Sequence, residues 1–394
     1  MEQVLYKLPD GWEWHSVKKL SHNIQYGHTA KAESNGNAKF LRITDIQDGK
    51  IDWQGVPTVS LEEKEISKYA LNDDDLIFAR SGATAGKSIL IKNAPKDAVF
   101  ASYLIRIVPN KKDIIPEYLS YFFLTPAYWE VVGQNAAGAA QPNINGTKLS
   151  EFIVPVAPQG EQKRIVEKLD ALLTRIDTAI EHLQQSATLA DALYASELNE
   201  IFNPRSLPIN QSGIYELPHG WEWKRIEDVF TITSGKNLTK KYMHVEGKFS
   251  VYGGNGIAGR YNDFNLSGSN IIIGRVGALC GNVRLVHGDI WVTDNAFFIK
   301  EYKVDILKEY LEKVLSALNL GETANKAAQP VISYKGIKDL VIPYPPLDEQ
   351  QRIVEKINNI GKLQVALKKQ LQFKTSSLGQ LKSSILDSAF KGKL

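Results

Sequence analysis

The chain has 394 residues, of which 43% are hydrophobic and 23% charged, and its formal net charge is +3. This length is enough for two or three ordinary domains, and the composition excludes a disordered or collagen-like protein. The single cysteine, Cys280, excludes a disulfide within the chain. The sequence has no run of 18 apolar residues and no apolar core of a signal peptide, so we expect a cytoplasmic protein without a membrane span.

An internal repeat organises the chain. Residues 8–14 recur as 217–223 with one change, and the pattern Arg-x-Gly-Ala-x-x-Gly occupies 80–86 and again 275–281. Residues 139–169 then match 327–357 at 14 of 31 positions without a gap. The offset between the copies falls from 209 to 195 to 188 and afterwards stays constant. Insertions and deletions are therefore confined to the first part of each copy, as in a constant frame that holds two different surfaces.

Strands and short helices are predicted in the first part of each copy. In the first copy we predict strands at 40–46, 76–79, 88–91 and 103–108 and helices near 116–123 and 127–133. In the second copy we predict strands at 270–273, 282–286, 291–292 and 296–299 and a helix near 304–319. Such a mixture indicates an α+β fold with two mixed α/β domains.

Each copy ends in a long predicted helix. From residue 161 to 202 the chain has no proline or glycine. Apolar residues recur there at spacings of three and four: Leu169, Leu173, Ile176, Ile180, Leu183, Ala187, Ala190 and Tyr194. The second helix has the equivalent series Ile357, Ile360, Gln364, Leu367, Leu371, Lys374, Leu378, Leu381 and Ile385. This spacing is typical of a coiled coil, so we expect the two helices to pair antiparallel about a pseudo-twofold axis.

The helix ends carry their own signals. Pro158 and Pro346 precede the helices, Asp348 is the predicted N-cap of the second, and Asn203-Pro204 and Gly392 mark the exits. The resulting domain boundaries are a first globular domain at 1–158, a helix at 159–203, a second globular domain at 204–346 and a helix at 347–394. About 40 helical residues form a rod of roughly 60 Å.

Catalytic and metal-binding motifs are incomplete in both copies. Residues 82–88 resemble a phosphate-binding P-loop but are one residue short, and the second copy has Asn282 in place of Lys87. Cys280 aligns with Ala85, which favours a small packed residue over a nucleophile. The seven histidines are scattered without a metal-ligand spacing. We therefore predict no catalytic residue, no metal site and no cofactor, and interpret 82–88 as a glycine-rich turn that lets the backbone approach another group closely.

The whole pattern resembles the specificity subunit of type I restriction–modification enzymes. The resemblance is carried by Leu8-Pro9-x-Gly11-Trp12, by the Arg-x-Gly-Ala-x-x-Gly turn and by Ala140-Gln141-Pro142 followed by Pro155-x-x-Pro158. It continues with Glu161-Gln162 at the start of the long helix and with the C-terminal residues 384–394. The matching features span essentially the whole chain.

This resemblance implies a non-catalytic DNA-binding protein. It implies two target-recognition domains that each read one half of a bipartite site in double-stranded DNA, with the paired helices setting the distance between them. It further implies two methyltransferase subunits docked on the helices and a separate motor–nuclease subunit. Methyl transfer, ATP use and cleavage would belong to those partners.

Candidate DNA contacts are exposed residues of the types that bind base edges and phosphates. In the first domain they are Lys31, Arg42, Thr44, Arg80, Ser81 and Lys87, and in the second Lys236, Lys240, Lys241, Tyr252, Asn255, Arg260 and Arg275. For each lysine or arginine the alternative is an ordinary solvated charge. Arg80 and Arg275 occur in both copies, so we expect them to contact phosphate or stabilise the turn. Positions that differ, such as Lys31 and Asn255, are expected to specify sequence.

Shared side chains outside this set are interpreted as structural. Gln141 and Gln329 belong to this group, and the tryptophan pairs at 12 and 14 and at 221 and 223 are predicted to lie in the core, because domains that read different targets should differ where they contact DNA. Two alternatives stay open. One is a tandem-domain scaffold that binds proteins and never touches DNA, and the other is a specificity chain serving a fused nuclease–methyltransferase.

Overall fold

The computed structural model describes residues 3, 5–47, 49–136, 143–202, 217–325 and 329–394. They form two compact units: unit 1 comprises Met1–Gln184 and Gln372–Leu394, and unit 2 comprises Gln185–Leu371. Each unit therefore takes one globular region together with part of both long helices. No helix in the described part of the chain is long and apolar enough to cross a membrane.

Unit 1 is built from short strands and helices in mixed order. Its strands are β1 (Glu13–Ser16), β2 (Ser21–Tyr26), β3 (Ala38–Leu41), β4 (Ile46–Gln47), β5 (Lys50–Ile51), β6 (Thr58–Val59), β7 (Leu76–Ala79), β8 (Ser88–Leu90), β9 (Ala98–Phe100), β10 (Leu104–Pro109) and β11 (Ile153–Val156). Its helices are α1 (Glu63–Tyr69), α2 (Pro116–Phe122), α3 (Pro126–Ala136), α4 (Gly146–Glu151) and the first part of α5 (Gln159–Phe202), together with the last part of the second long helix.

The main sheet of unit 1 has the strand order β2-β10-β7-β8, with antiparallel neighbours. A smaller sheet places β3 between β6 and β9, with β3 and β9 parallel, and β1 pairs with β11. Strand β7 is buried along its whole length. Its alternate residues enter two different cores, Leu76 and Phe78 on one face and Ile77 on the other. The main sheet is thus covered on both faces, which explains the continuous apolar run in its sequence.

Unit 2 repeats this plan. Its strands are β12 (Glu222–Arg225), β13 (Phe230–Ser234), β14 (Phe249–Gly253), β15 (Gly256–Tyr261), β16 (Ser269–Gly274), β17 (Val283–His287), β18 (Ile290–Val292), β19 (Ala296–Tyr302) and β20 (Val341–Tyr344). Its helices are α6 (Ile226–Val229), α7 (Lys308–Ala317), α8 (Tyr334–Ile337) and the first part of α9 (Leu347–Phe390), together with the last part of α5.

The three sheets of unit 2 repeat the topology of three sheets of unit 1, whereas the two-stranded β4–β5 sheet of unit 1 has no counterpart among the described residues. The main sheet has the order β13-β19-β16-β17, β14 lies between β15 and a parallel β18, and β12 pairs with β20. Within β16, Ile271 and Ile273 enter one core and Ile272 the other. The α+β fold class and the duplication predicted from the sequence are therefore confirmed.

A buried glutamine attaches the start of each long helix to its globular region. Gln162 accepts a hydrogen bond from the Ile115 N–H (2.8 Å) and donates one to the Ala157 carbonyl (2.8 Å). In the other unit Gln350 makes the equivalent bonds to the Leu307 N–H and the Pro345 carbonyl, both at 2.9 Å. Both side chains are fully buried, so each satisfies backbone groups that no water could reach. This duplicated contact explains the shared Glu-Gln pair.

The helix starts differ from the sequence expectation at one residue. Helix α9 begins at Leu347, and the Pro346 carbonyl accepts from the Gln350 N–H at 2.9 Å. Asp348 therefore lies in the first turn rather than at the N-cap, where its charge still favours the helix dipole. At the other end, Gly392 follows the helix with φ +66, as its predicted role at the exit requires. The predicted exit at residues 203 and 204 lies outside the described residues.

The two long helices run antiparallel within each unit. In unit 1, Lys382 of α9 pairs with Asp177 of α5 (2.7 Å), and in unit 2, Lys368 pairs with Asp191 (2.8 Å). All eight predicted apolar positions of α5 are buried or half-buried. In α9 the prediction is wrong at Leu367, Lys374 and Leu381, which are exposed. At these places the residues that face α5 lie about one position further along the chain than predicted. Lys368 and Lys382 therefore reach the acidic side chains of α5.

Most predicted strands and helices agree with the structure to within a few residues, because the buried apolar runs of the main sheets carry a clear pattern. The predicted strand at 40–46 is shorter, since β3 ends at Leu41 and a 3-10 turn follows at Ile43–Asp45. Trp12 is buried, as predicted, and its indole N–H donates to Glu161 Oε2 at 3.0 Å. Trp14, Trp221 and Trp223 are half-buried rather than in the core.

Candidate nucleic-acid interface

The glycine-rich turn has the same backbone in both units. Gly82 and Gly86 have φ of +80 and +88, and their counterparts Gly277 and Gly281 have +103 and +91. A side chain at these positions would be strained, which explains why the glycines recur. A Cβ at Gly281 would lie only 2.2 Å from the Gly321 nitrogen. The close approach expected from the sequence is thus made to the protein's own backbone, so the segment is a packed turn.

Backbone hydrogen bonds hold this turn against a neighbouring loop in both units. The backbone N–H of Arg80 donates to the Tyr103 carbonyl (3.0 Å), and the backbone N–H of Arg275 donates to the Asn295 carbonyl (2.9 Å). The Arg80 guanidinium lies 5.1 Å from the Tyr26 ring centre, and that of Arg275 lies 5.3 Å from the Phe297 ring centre. Such stacking is a cation–π contact.

Burial also limits what these arginines can bind. Both Nε atoms are buried and have no hydrogen-bond partner in the part of the chain that the structure describes. The Arg275 Nη1 group donates to the Asp294 carbonyl at 3.3 Å. The geometry accounts for a turn-stabilising role, while a phosphate contact through the outer guanidinium nitrogens stays a prediction.

A cavity of about 330 Å³ opens beside the turn of unit 2. Its wall includes the ammonium-bearing Lys240, the carboxamides of Asn255, Asn295 and Gln329, and Gly277 of the turn. Two predicted contacts, Lys240 and Asn255, are thus brought together. Gln329, which we expected to be structural, is exposed and lines the same cavity, while its counterpart Gln141 lies outside the described residues.

The tip of the β14–β15 hairpin is braced by a residue that the sequence analysis missed. Arg284 of β17 donates from Nη2 to the Asn255 carbonyl at 3.4 Å. Its guanidinium carbon would lie 3.3 Å from a Cβ at Gly256, which has φ +104. No local sequence pattern indicates the role of Arg284, because the contact joins residues 29 positions apart on different strands.

The remaining predicted residues of unit 2 differ in exposure and in the groups that they contact. Lys236 and Lys241 are exposed. Arg260 donates from Nη2 to the Lys248 carbonyl at 2.8 Å and also binds the Gly247 carbonyl, so its guanidinium is engaged within the unit. Tyr252 is half-buried against the smaller core and lines a different cavity.

In unit 1 the predicted residues are also unequal. Arg42 forms two hydrogen bonds with Asp45, from Nη2 (2.8 Å) and Nε (3.1 Å), which orients it within its own 3-10 turn and raises its pKa. Thr44 is exposed and lines a cavity of about 330 Å³ with Lys50.

The other three predicted residues of unit 1 differ in their exposure. Ser81 is half-buried and forms a β-bridge with Asn143, whereas Lys31 and Lys87 are exposed. Fewer side chains than predicted are therefore both exposed and without an engagement inside their own unit.

Side chains suited to metal binding are not gathered in the described ranges. Across residues 3–136, 143–202, 217–325 and 329–394, apart from position 4 and position 48, no three His, Cys, Asp or Glu side chains come together to hold a metal ion. Cys280 is buried, which agrees with the small packed residue expected from its alignment with Ala85.

Comparison with known proteins assigns the family. The family model described as "Type I restriction modification DNA specificity domain" matches residues 9–189 and 218–374, once for each repeat. The chain belongs to this family. It is 24% identical over 98% of its length to the putative type I restriction enzyme MjaX specificity subunit of Methanocaldococcus jannaschii, covering 95% of that protein. It is 26% identical over 98% of its length to the EcoKI specificity subunit of Escherichia coli K12, covering 90% of it.

Solved structures support the fold of the family member. A chain from a structure titled as the basis of complex assembly and conformational transition of the type I R-M system superposes with a TM-score of 0.79, at 21% identity, covering 99% of this chain and 100% of that one. The HsdS subunit of Thermoanaerobacter tengcongensis superposes with a TM-score of 0.56, also at 21% identity, covering both chains completely. At this identity the likeness concerns the fold alone.

Proposed function

We propose that this specificity-family chain recognises a bipartite DNA site, each globular region reading one half, without carrying out chemistry itself. The observation that carries the proposal is a single topology present twice, with the same arginine–glycine turn and with different side chains around it. In unit 2 the cavity beside the turn has carboxamides and a lysine, the groups that bind base edges and phosphates. Two globular regions with the same backbone framework and different surface side chains suit two different DNA half-sites.

The long helices are proposed to set the number of base pairs between the half-sites. Helix α5 has 44 residues, which corresponds to about 66 Å at 1.5 Å per residue. This is slightly less than two turns of B-DNA at roughly 34–36 Å each. A continuous paired helix resists bending, so its length would translate into a fixed spacer.

The same helices are proposed to dock two methyltransferase subunits. Exposed apolar side chains on them include Leu193 of α5, with 63% of its surface exposed, and Leu381 of α9, with 48%. These two leucines are 188 residues apart and so occupy equivalent repeat positions in different units. Leu363 and Phe373 of α9 are exposed by 72% and 73%. Repeated exposed apolar groups on helices suit partner helices that cover them.

The remaining partners follow from the family. One solved structure with the same fold concerns the assembly of a type I R-M complex. We propose a motor–nuclease subunit that joins the DNA-bound complex in the cytoplasm of a bacterium or archaeon, with methyl transfer, ATP use and cleavage residing in the partners. The near-neutral net charge of +3 fits this division, because the other subunits would supply much of the phosphate contact.

Selection on random DNA tests the proposal. The full chain, assembled with its methyltransferase partner, is incubated with a library of random duplexes at several salt concentrations, and the bound DNA is sequenced. We expect enrichment of one two-part site with a fixed spacer. Binding without any enriched sequence, or no DNA binding beside a stable protein complex, would support the protein-binding scaffold instead.

Docking is tested by charge placed on the exposed leucines. Leu193→Asp and Leu381→Asp are expected to abolish copurification of the methyltransferase subunit when combined, and to leave about one subunit per chain when made singly. Val245→Asp is the control, because Val245 is 91% exposed and lies outside the long helices. Full copurification with the double variant would contradict docking at these leucines.

A further inference from the structure

Two loops outside the predicted contacts occupy the same place in the two units. The carbonyl of Tyr103 accepts from the Arg80 N–H, and the carbonyl of Asn295 accepts from the Arg275 N–H. Each residue is also the third of a matched turn, closed by a hydrogen bond from Leu104 to Ala101 (2.9 Å) in unit 1 and from Ala296 to Thr293 (3.1 Å) in unit 2. Tyr103 and Asn295 are therefore equivalent by their backbone contacts, although they are 192 residues apart and lie in a region where the sequence offset varies.

The side chains at this matched place are unlike and face solvent. Tyr103 has 66% of its surface exposed, which is unusual for a tyrosine, and Asn295 is exposed as well. Neither side chain has a hydrogen-bond partner among the residues that the structure describes. Packing therefore does not explain the difference between them, because neither side chain fills a core.

The surroundings point towards base contact. The arginine and the glycines next to each loop are shared, so the frame is constant where the side chain differs. In unit 2, Asn295 lines the cavity that also contains Asn255 and Gln329. A carboxamide can form two hydrogen bonds with the N6 and N7 atoms of adenine in the major groove, and an apolar surface can pack on the thymine methyl group.

We propose that Tyr103 and Asn295 are equivalent specificity-determining residues, each contacting a base of one half-site. Asn295 binds adenine through its carboxamide, and the ring of Tyr103 packs on a thymine methyl group. The backbone N–H groups of Arg80 and Arg275 hold the two loops in the same position relative to the turn. A change of side chain on the loop therefore changes the base that is read without altering the backbone framework. This inference rests on the proposed recognition of a two-part site.

The test uses the full chain with its methyltransferase partner, selected on random duplexes. For Asn295→Ala we expect one adenine position in one half-site to lose about 5- to 150-fold of its preference. For Asn295→Asp the preference at that position should turn towards cytosine, whose N4 amino group donates to a carboxylate. For Tyr103→Ala a thymine position in the other half-site should relax. Asn358→Ala, at an exposed asparagine on α9, is the control and should retain the complete site.

The untouched half-site of each variant reports whether the protein is folded. The inference is overturned if Asn295→Ala and Tyr103→Ala affect the same half-site, if either variant retains the wild-type site, or if both half-sites are lost together. If the wild-type complex selects no site at all, the proposed function fails together with this inference. If the wild type selects a two-part site and only the variants behave otherwise, the proposed function stands and this inference alone falls.

Discussion

Replacing the buried glutamine of α9 should weaken unit 2 selectively. Gln350→Met keeps the length of the side chain but removes its acceptor for the Leu307 N–H and its donor for the Pro345 carbonyl, both at 2.9 Å. Each abandoned buried backbone group costs about 1–3 kcal/mol. Two such groups give a loss of about 2–6 kcal/mol, partly offset by about 1 kcal/mol from burying an apolar side chain.

The magnitude is large compared with the stability of a domain, which is about 5–15 kcal/mol. For a unit of this size, each 1 kcal/mol lowers Tm by about 2–4 °C. The net loss of about 1–5 kcal/mol should therefore move the unfolding transition of unit 2 down by about 2 to 20 °C. Because the two units need not unfold together, the assay is native-state hydrogen exchange, which follows the Leu307 amide and the amides of β16 separately from those of unit 1.

A matched control lies one residue further along the helix. Gln351 is exposed, and its side chain bonds Glu355 at 3.0 Å on the same helix. Gln351→Met should change stability by no more than about 0.5 kcal/mol. Gln162→Met should reproduce the effect of Gln350→Met in unit 1, where the orphaned groups are those of Ile115 and Ala157. Equal exchange in both units, or an effect of Gln350→Met no larger than that of Gln351→Met, would refute the anchoring role.

Three further predictions concern the core, the turn and the helices. Burial raises the pKa of Asp75 even though Arg106 lies 3.5 Å away, so the folded chain keeps the carboxyl proton to a higher pH than the unfolded chain does. The Tm of Asp75→Asn relative to wild type should therefore rise as the pH increases above about 4. A difference in Tm that stays constant with pH would contradict this. Gly281→Ala should destabilise unit 2 by at least about 2 kcal/mol more than Gly268→Ala. Both glycines have a positive φ, but an added Cβ would meet neighbouring atoms only at Gly281. Equal midpoints of urea unfolding for the two variants would refute this explanation. Inserting seven residues into each long helix, after 184 and after 371, should lengthen the selected DNA spacer by about 3 base pairs and leave both half-sites unchanged. Altered half-sites would mean that the roles of the helices and of the reading surfaces are wrongly assigned.

The buried ion pair of Arg106 and Asp75 shows that the two units differ in their interiors as well as at their surfaces. Arg106 pairs with Ile77 across the sheet, and at the matched register Phe298 pairs with Ile272. Unit 2 therefore has an aromatic residue where unit 1 has a buried arginine. Sequence alone could not reveal this exchange, because the offset between the copies changes within the globular regions and no motif marks these strands.

The candidate DNA contacts stay predictions, and the structure shows only how each side chain is placed in its unit. Residue type is visible in the sequence, so exposed lysines such as Lys31 and Lys240 could be named as candidates. The partner of a side chain is not visible, and Arg260 turned out to bind carbonyls of its own unit. Tyr103 was not among the candidates because it lies at the start of the apolar strand predicted at 103–108, where an aromatic residue is typical of a core, and only the fold shows that it is exposed.

The duplication, the α+β class, the two long helices and the family resemblance could all be predicted from the amino-acid sequence. These depend on local periodicity and on the order of short motifs, which survive insertions elsewhere in the chain. Only the tertiary structure decided which face of α9 meets α5, because a rotation of one residue moves leucines out and lysines in without changing the apolar spacing. It alone paired Arg80 with the Tyr103 loop and Arg275 with the Asn295 loop, since hydrogen bonds between distant backbone segments leave no trace in composition or spacing.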